Sequence, residues 1–283
     1  METIRWAFRL ADWHPSKEQW LIASSCIQAE EKNRIGKFVF QKDAKSALIG
    51  RLLLRRVVHK VLHIPYKSIH LSRTNKGKPY LVSKPGYESP LHFNVSHQGE
   101  YAVLAADPVH EVGIDVMQVE YPRGSRSVDD FFSNMNRQFT QNEWLTIKDP
   151  IDEWDQLKQF YRFWCLKESY VKALGVGIGF SLQRLDFCPQ ADPEVNRVIC
   201  NTKVCVDDAL QRDWLFEETM LDNKHCVAVA LKQNSHGALP TEGSSFQILN
   251  FEELLSGAEP LTEPDSAYWQ QFNAKQEKPM ATK

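Results

Sequence analysis

Hydrophobic and polar positions fall into two periods along the chain, and the same succession of them occurs twice. In the first half, apolar residues 4–10 read as a strand, and helical spacing follows around residues 17–24 and 30–40. The amphipathic run 43–62 predicts a long helix. Residues 69–73 then read as a strand, and 91–95 with 100–106 as a hairpin around His97-Gln98-Gly99. The second half opens on a strand at 112–119, continues with short helices at 128–135 and 141–148, and reaches a long helix over 152–174. A strand at 182–187 follows, and 214–218 with 224–231 form a hairpin around Leu221-Asp222-Asn223. Identity between the halves is slight, so the repeat is one of element order. It predicts an α+β fold of two similar lobes, 1–119 and 120–232, joined through residues 118–127 with Pro122 and Gly124. A polar stretch, 233–245, leads to a recovered apolar run at 246–255 that can dock as an extra strand or helix. The extension 233–283 is thus expected to be partly docked, with residues 273–283 disordered.

The end of the second long helix, FWCLKESYVKALG, carries a puzzle. At about 100° per residue, Phe160, Phe163, Trp164, Val171 and Leu174 share a stripe with Lys167 near its middle, and Glu168 and Lys172 lie on its edge. A charge at a core position is costly unless it is paired or opens onto a polar cleft. The helix is therefore expected to border a polar site.

Composition narrows the class. The 283 residues are 42% hydrophobic and 25% charged with a net charge of −2, and the pI is near 6.5. That is a soluble globular profile with no general attraction to nucleic acid or to an anionic membrane. No apolar run approaches the length of a bilayer span. The six cysteines contain no C-x-x-C pair, and the opening METIRWAF has no signal-peptide h-region, so a cytosolic protein with free thiols is expected.

Four stretches can carry chemistry. Asp115, in Gly113-Ile114-Asp115-Val116-Met117, is either a strand-end cap or a carboxylate ligand for a hard divalent cation. Glu168 and Lys172, spaced i, i+4, are either a helix-stabilising ion pair or a ligand or general base with its cationic partner. Arg73-Thr74-Asn75-Lys76-Gly77-Lys78-Pro79 gathers cations about a glycine and a fixed turn, which suits surface solvation or a phosphate. Asn94-Val95-Ser96-His97 leads into a hairpin turn, where His97 is structural or holds a phosphate oxygen beside Ser96. A thiol-protease pair of Cys165 and His97 lacks any local signature. The Gly175-Val176-Gly177-Ile178-Gly179 run follows a helix, so it reads as a helix stop and not as a dinucleotide fingerprint. Metal-dependent nucleases place E-x-K on a strand, whereas Glu168 and Lys172 are four apart on a helix.

In this order, Asn94-Val95-Ser96-His97, Gly113-Ile114-Asp115 and Trp164-Cys165-Leu166-Lys167-Glu168-Ser169-Tyr170-Val171-Lys172-Ala173 resemble the signature of the 4′-phosphopantetheinyl transferases of the single-chain, two-lobed type. The resemblance spans residues 1 to about 255 and is weaker beyond. It implies two lobes related by a pseudo-twofold axis in a monomer, coenzyme A as co-substrate, Mg²⁺ as cofactor, and transfer of the phosphopantetheine arm to a carrier-protein serine with release of adenosine 3′,5′-bisphosphate. Carriers of the fatty acid synthase, aminoadipate-semialdehyde dehydrogenase-like and formyltetrahydrofolate dehydrogenase-like kinds are implied, hence roles in fatty acid synthesis and lysine degradation. By the same resemblance Asp115 and Glu168 hold the metal, Glu168 is the base, and Lys172 neutralises the pyrophosphate. Arg34, Arg73, Thr74, Asn75, Lys76, Gly77, Lys78, Asn94, Val95, Ser96 and His97 bind coenzyme A, with Lys167 reaching phosphate as well. Many bacterial members carry a second acid where this chain has Met117, a poor Mg²⁺ ligand. Gln98 is the candidate replacement. A non-catalytic carrier-protein or coenzyme A binder of the same fold is the alternative.

Overall fold

The computed structural model describes residues 2–83, 91–234 and 237–277. It runs β1 (Ile4–Arg9), α1 (Lys17–Ser25), α2 (Ala29–Gly36), α3 (Gln41–Leu62), β2 (Leu71–Arg73), β3 (Pro79–Leu81), β4 (His92–Gln98) and β5 (Tyr101–Asp107). Next come β6 (Glu111–Gln118), α4 (Val128–Asn134), α5 (Gln141–Lys148), α6 (Glu153–Leu174), β7 (Leu185–Cys188), β8 (Lys203–Val206), β9 (Ala209–Leu210), β10 (Trp214–Asp222) and β11 (His225–Lys232). The chain then adds β12 (Gln247–Ile248), α7 (Phe251–Leu255) and α8 (Ser266–Asn273).

The expected α+β duplication is present in the sheets. One has the order β12-β1-β5-β4 and the other β10-β11-β6, so the hairpin's second strand is central in each. Both central strands pair antiparallel with the opening strand of their half, Trp6 opposite Leu104 and Asp115 opposite Ala228. The place where the halves part differs from the sequence reading, which put residues up to 119 in the first lobe. β6 is hydrogen-bonded along its length to β11. By strand pairing it is the counterpart of β1 in the second half, and the sheets separate at residues 108–110.

Three apolar clusters hold this arrangement. One packs α1, α3 and α8 on the outer face of the first sheet, and another packs α4, α5 and α6 on the second. The third joins the two sheets, with Ala7, Tyr101, Val103 and Ala105 meeting Ile114, Val116, Val227 and Val229. Covered on both faces, β5 is buried throughout, which is why its sequence is a continuous apolar run.

Local signals set the helix ends. Asp152 caps α6 by accepting the backbone N–H groups of Trp154 and Asp155, and Gly175 ends it in the left-handed conformation at φ 67°. The glycine run is thus a helix stop, as read. The basic stretch at 73–79 is the turn of a small hairpin, β2 with β3, closed where Gly77 takes φ 86°. Past β11 the chain docks as both a strand and helices: β12 adds in parallel to β1, and Phe272 of α8 stacks on Trp20 with ring centroids 3.6 Å apart. The order extends into the stretch expected to be disordered, since Gln41 donates its N–H to the Gln276 carbonyl at 2.8 Å. The last residues of that stretch, 278–283, lie outside the described residues.

Candidate active site

The two sheets meet along their β4 and β6 edges without a continuous backbone ladder, and side chains of β4 at every second position close the seam. Asn94 Oδ1 accepts the N–H of Ile114 at 3.2 Å, Ser96 Oγ donates to Asp115 Oδ1 at 2.8 Å, and Gln98 Oε1 accepts the N–H of Gln118 at 2.5 Å. The strand period of two aims all three at the other lobe. Gln98 is therefore a lobe clasp, and its oxygen is already engaged. That oxygen keeps a second lone pair, so Gln98 remains the proposed replacement for the missing acidic ligand.

Gly113 brings the helix to this seam. A Cβ there would overlap the Ser169 carbonyl oxygen and the Ala173 nitrogen, so α6 can lie directly on β6 only over a glycine. On that contact Lys172 Nζ comes within 2.6 Å of Asp115 Oδ1 and 2.8 Å of Ser96 Oγ. The second carboxylate oxygen, Asp115 Oδ2, is buried with no hydrogen-bond partner. Glu168, one turn before Lys172, is half-buried. Desolvation and then the like charge of Asp115 push its pKa up, against the pull of Lys172.

A cleft of about 700 Å³ opens above this group, walled by both lobes. Arg34, Arg73, Lys76, Gly77, Lys78, Asn94, Val95, Ser96, His97, Glu168 and Lys172 line it. Asp115 lies beneath, touching Ser96 and Lys172. Lys78 crosses the cleft to donate to the Ala173 carbonyl at 2.8 Å, and burial lowers its pKa. His97 is exposed and lines the cleft. Desolvation, then Lys172 and more weakly Arg34, pulls its pKa down.

Three expected residues are not brought into the lining. Thr74 and Asn75 are exposed on the outer side of the turn, where Thr74 Oγ1 accepts the Lys78 N–H. Lys167 is buried elsewhere and has no free donor. Its ammonium lies 2.8 Å from Glu143 and donates to the Leu182 and Leu185 carbonyls at 2.8 and 2.7 Å. The charge in the apolar stripe is thus explained by a buried partner on α5, while Glu168 and Lys172 are explained by the cleft. Arg51, Gln138, Trp164 and Phe180 also line the cleft and were not singled out in the sequence as site residues. Arg51 sits in the most apolar part of α3, which was the signal available.

Among the described residues no three His, Cys, Asp or Glu side chains form a metal-holding cluster. Two carboxylates alone are offered: Asp115 with a buried unsatisfied oxygen, and Glu168, which accepts no hydrogen bond from a described residue. Such a pair suits a cation that draws its remaining ligands from substrate oxygens and water, as Mg²⁺ does.

Residues 11–109 match the family model described as 4′-phosphopantetheinyl transferase, N-terminal, and residues 111–230 match that of the 4′-phosphopantetheinyl transferase superfamily. The chain is 47% identical to the L-aminoadipate-semialdehyde dehydrogenase-phosphopantetheinyl transferase of Xenopus laevis and 46% identical to that of Homo sapiens. Each comparison covers 99% of this chain and 94% of the relative. A phosphopantetheinyl transferase of Thraustochytrium sp. is 36% identical over 81% of this chain and 78% of its own length.

Proposed function

The chain belongs to the 4′-phosphopantetheinyl transferase superfamily and is a coenzyme A-using phosphopantetheinyl transferase, and from that premise we propose that Glu168 is its general base and that Asp115 and Glu168 hold Mg²⁺. The observation that carries this reading is Glu168 itself. It is the one carboxylate lining the cleft among the described residues, with a pKa raised by burial and by Asp115, as a base working near neutral pH requires.

The chemistry follows from placement. The carrier serine gives its proton to Glu168, directly or through water, as its Oγ bonds to the phosphorus next to pantetheine. The bond from that phosphorus to the bridging oxygen breaks, and adenosine 3′,5′-bisphosphate leaves with the electron pair. Lys172, anchored by Asp115 and Ser96, places a fixed positive charge where negative charge builds on the leaving group. Bound Mg²⁺ supplies further positive charge to the pyrophosphate. Arg34, Arg73, Lys76, Lys78, Ser96 and His97 hold the phosphates and the adenosine end.

Its carriers are proposed to be acyl carrier domains of the kind named for the relatives, aminoadipate-semialdehyde dehydrogenase, together with those of fatty acid synthase and formyltetrahydrofolate dehydrogenase. That places it in fatty acid synthesis and lysine degradation. A cytosolic monomer belongs to the same reading, supported by six free cysteines and by lobes that pair within one chain. Intact-mass spectrometry of an apo acyl carrier protein, incubated with this protein, coenzyme A and Mg²⁺, tests it. A gain of one phosphopantetheine arm that EDTA abolishes is expected. No gain while coenzyme A still binds would leave a non-catalytic binder.

A further inference from the structure

Tyr268, Gln271 and Lys275 of the C-terminal extension do not line the cleft, yet their polar side chains converge on the end of α2. Tyr268 Oη donates to the Lys32 carbonyl at 3.1 Å, and Gln271 Nε2 donates to the Gly36 carbonyl at 3.2 Å. Lys275 Nζ donates to two carbonyls, that of Gly36 at 2.9 Å and that of Phe38 at 2.6 Å. The approach is close: a Cβ on Gly36 would stand 3.1 Å from Gln271 Oε1. Lys275 is itself fixed from α3, where Gln41 Nε2 donates to its carbonyl at 3.1 Å. With Phe272 stacked on Trp20, α8 and the residues after it bridge α1 to the last turn of α2.

That last turn carries Arg34 into the cleft wall. With 8 residues, α2 has about two turns, and a helix so short does not hold itself in water. Its final carbonyls also need partners from outside the helix. An ammonium there supplies the donors and complements the negative end of the helix dipole. Lys275 fastens the backbone at Gly36 and Phe38, just past Arg34, and the Arg34 guanidinium lies 5.6 Å from the centroid of the Phe38 ring. Arg34 Nε is tied in turn to Glu31 at 2.8 Å. We infer that Lys275, assisted by Gln271, is a positioning residue for coenzyme A: from outside the cleft it holds the last turn of α2 where Arg34 meets a phosphate. The C-terminal extension is then part of the binding machinery and not only a brace of the first lobe. The inference rests on the reading of Arg34 as a coenzyme A contact.

A double-mutant cycle between Arg34 and Lys275, read by calorimetric titration of the full chain with coenzyme A, tests this. Arg34→Ala is expected to weaken binding by roughly 10-fold or more, the scale of a lost hydrogen bond to a charged group. Lys275→Met should weaken it by roughly 5-fold, the scale of a cation lost from a helix end, and should have almost no further effect once Arg34 is alanine. Lys275→Arg, which keeps charge and donors, should restore the affinity. In turnover with an apo carrier protein, Lys275→Met should raise the KM for coenzyme A and leave kcat near wild type, since Glu168 and Lys172 stand on α6 of the other lobe. Gln271→Ala removes one donor and no charge; it should act in the same direction by less, and serves if the methionine variant does not fold. Unchanged coenzyme A affinity in Lys275→Met would overturn the inference, as would an equal loss with and without the Arg34 side chain. Full affinity in Arg34→Ala would instead overturn the reading of Arg34, and the inference with it.

Discussion

Lys172 Nζ lies 2.6 Å from Asp115 Oδ1 and 2.8 Å from Ser96 Oγ, so one ammonium from α6 ties a strand of each lobe to the floor of the cleft. Lys172→Met removes that charge from a place where it pulls Glu168 down and helps hold His97 down. Both groups should then titrate at higher pH, as NMR pH titration of the free enzyme would show. The acid limb of kcat/KM should move the same way, and kcat should fall by about 10²-fold, the scale of one lost electrostatic contact in a transition state. An unmoved His97 would place Lys172 elsewhere.

Lys167, next to Glu168 in sequence, belongs to the fold and not to the cleft. Lys167→Met strands Glu143 in the core, where it also accepts the N–H groups of Thr140 and Phe187. Denaturant unfolding should show a loss of about 3–5 kcal/mol, the cost of breaking a buried pair from one side. Adding Glu143→Gln should recover much of it. The KM for coenzyme A should not change in the folded fraction; a large rise would put Lys167 on phosphate after all.

Gly113→Ala forces a methyl group into the backbone of α6 at Ser169 and Ala173. Overpacking of this kind costs about 1–3 kcal/mol. The displaced helix carries Glu168 and Lys172 away from Asp115, so kcat should fall by more than the loss of folded protein accounts for. Active-site titration with circular dichroism separates the two. Full kcat in the folded fraction would mean that the contact is structural only.

The long helices and the two hairpins were legible because each carries a strong period and a terminal signal, such as Asp152 and Gly175 around α6. The α8 helix was not. Its sequence, SAYWQQFN, is short and gains its order from stacking on Trp20, a contact set by the tertiary fold. β8 and β9 are short and stayed hidden for the same reason. In the site, Asp115, Glu168, Lys172, Ser96 and His97 could be named from motifs, and the structure brings them together. Partners far away in sequence could not be named: Glu143 for Lys167, Glu31 for Arg51, and Gln118 for Gln98. A helical or strand period marks which face is buried, but not which charge is met there.

Glu168 also makes a statement about stability. Its folded pKa is raised, so the folded state binds this proton more readily than the unfolded chain. The stability that proton confers is full below the unfolded pKa and lost as pH rises through the folded one. At pH 7 to 8, Glu168→Gln removes a desolvated charge beside Asp115, and its Tm should equal or exceed that of the wild-type protein. A clearly lower Tm across that range would mean that Glu168 is held by partners the cleft does not show.

The most direct test of the catalytic assignment pairs transfer with binding in that same variant. Intact-mass spectrometry would follow the conversion of an apo carrier protein by wild-type and Glu168→Gln enzyme, with calorimetric titration of adenosine 3′,5′-bisphosphate alongside. The expected result is a rate lower by about 10²-fold or more with product affinity within a few-fold of wild type. Near wild-type transfer by a folded Glu168→Gln enzyme would contradict the assignment of Glu168 as the base.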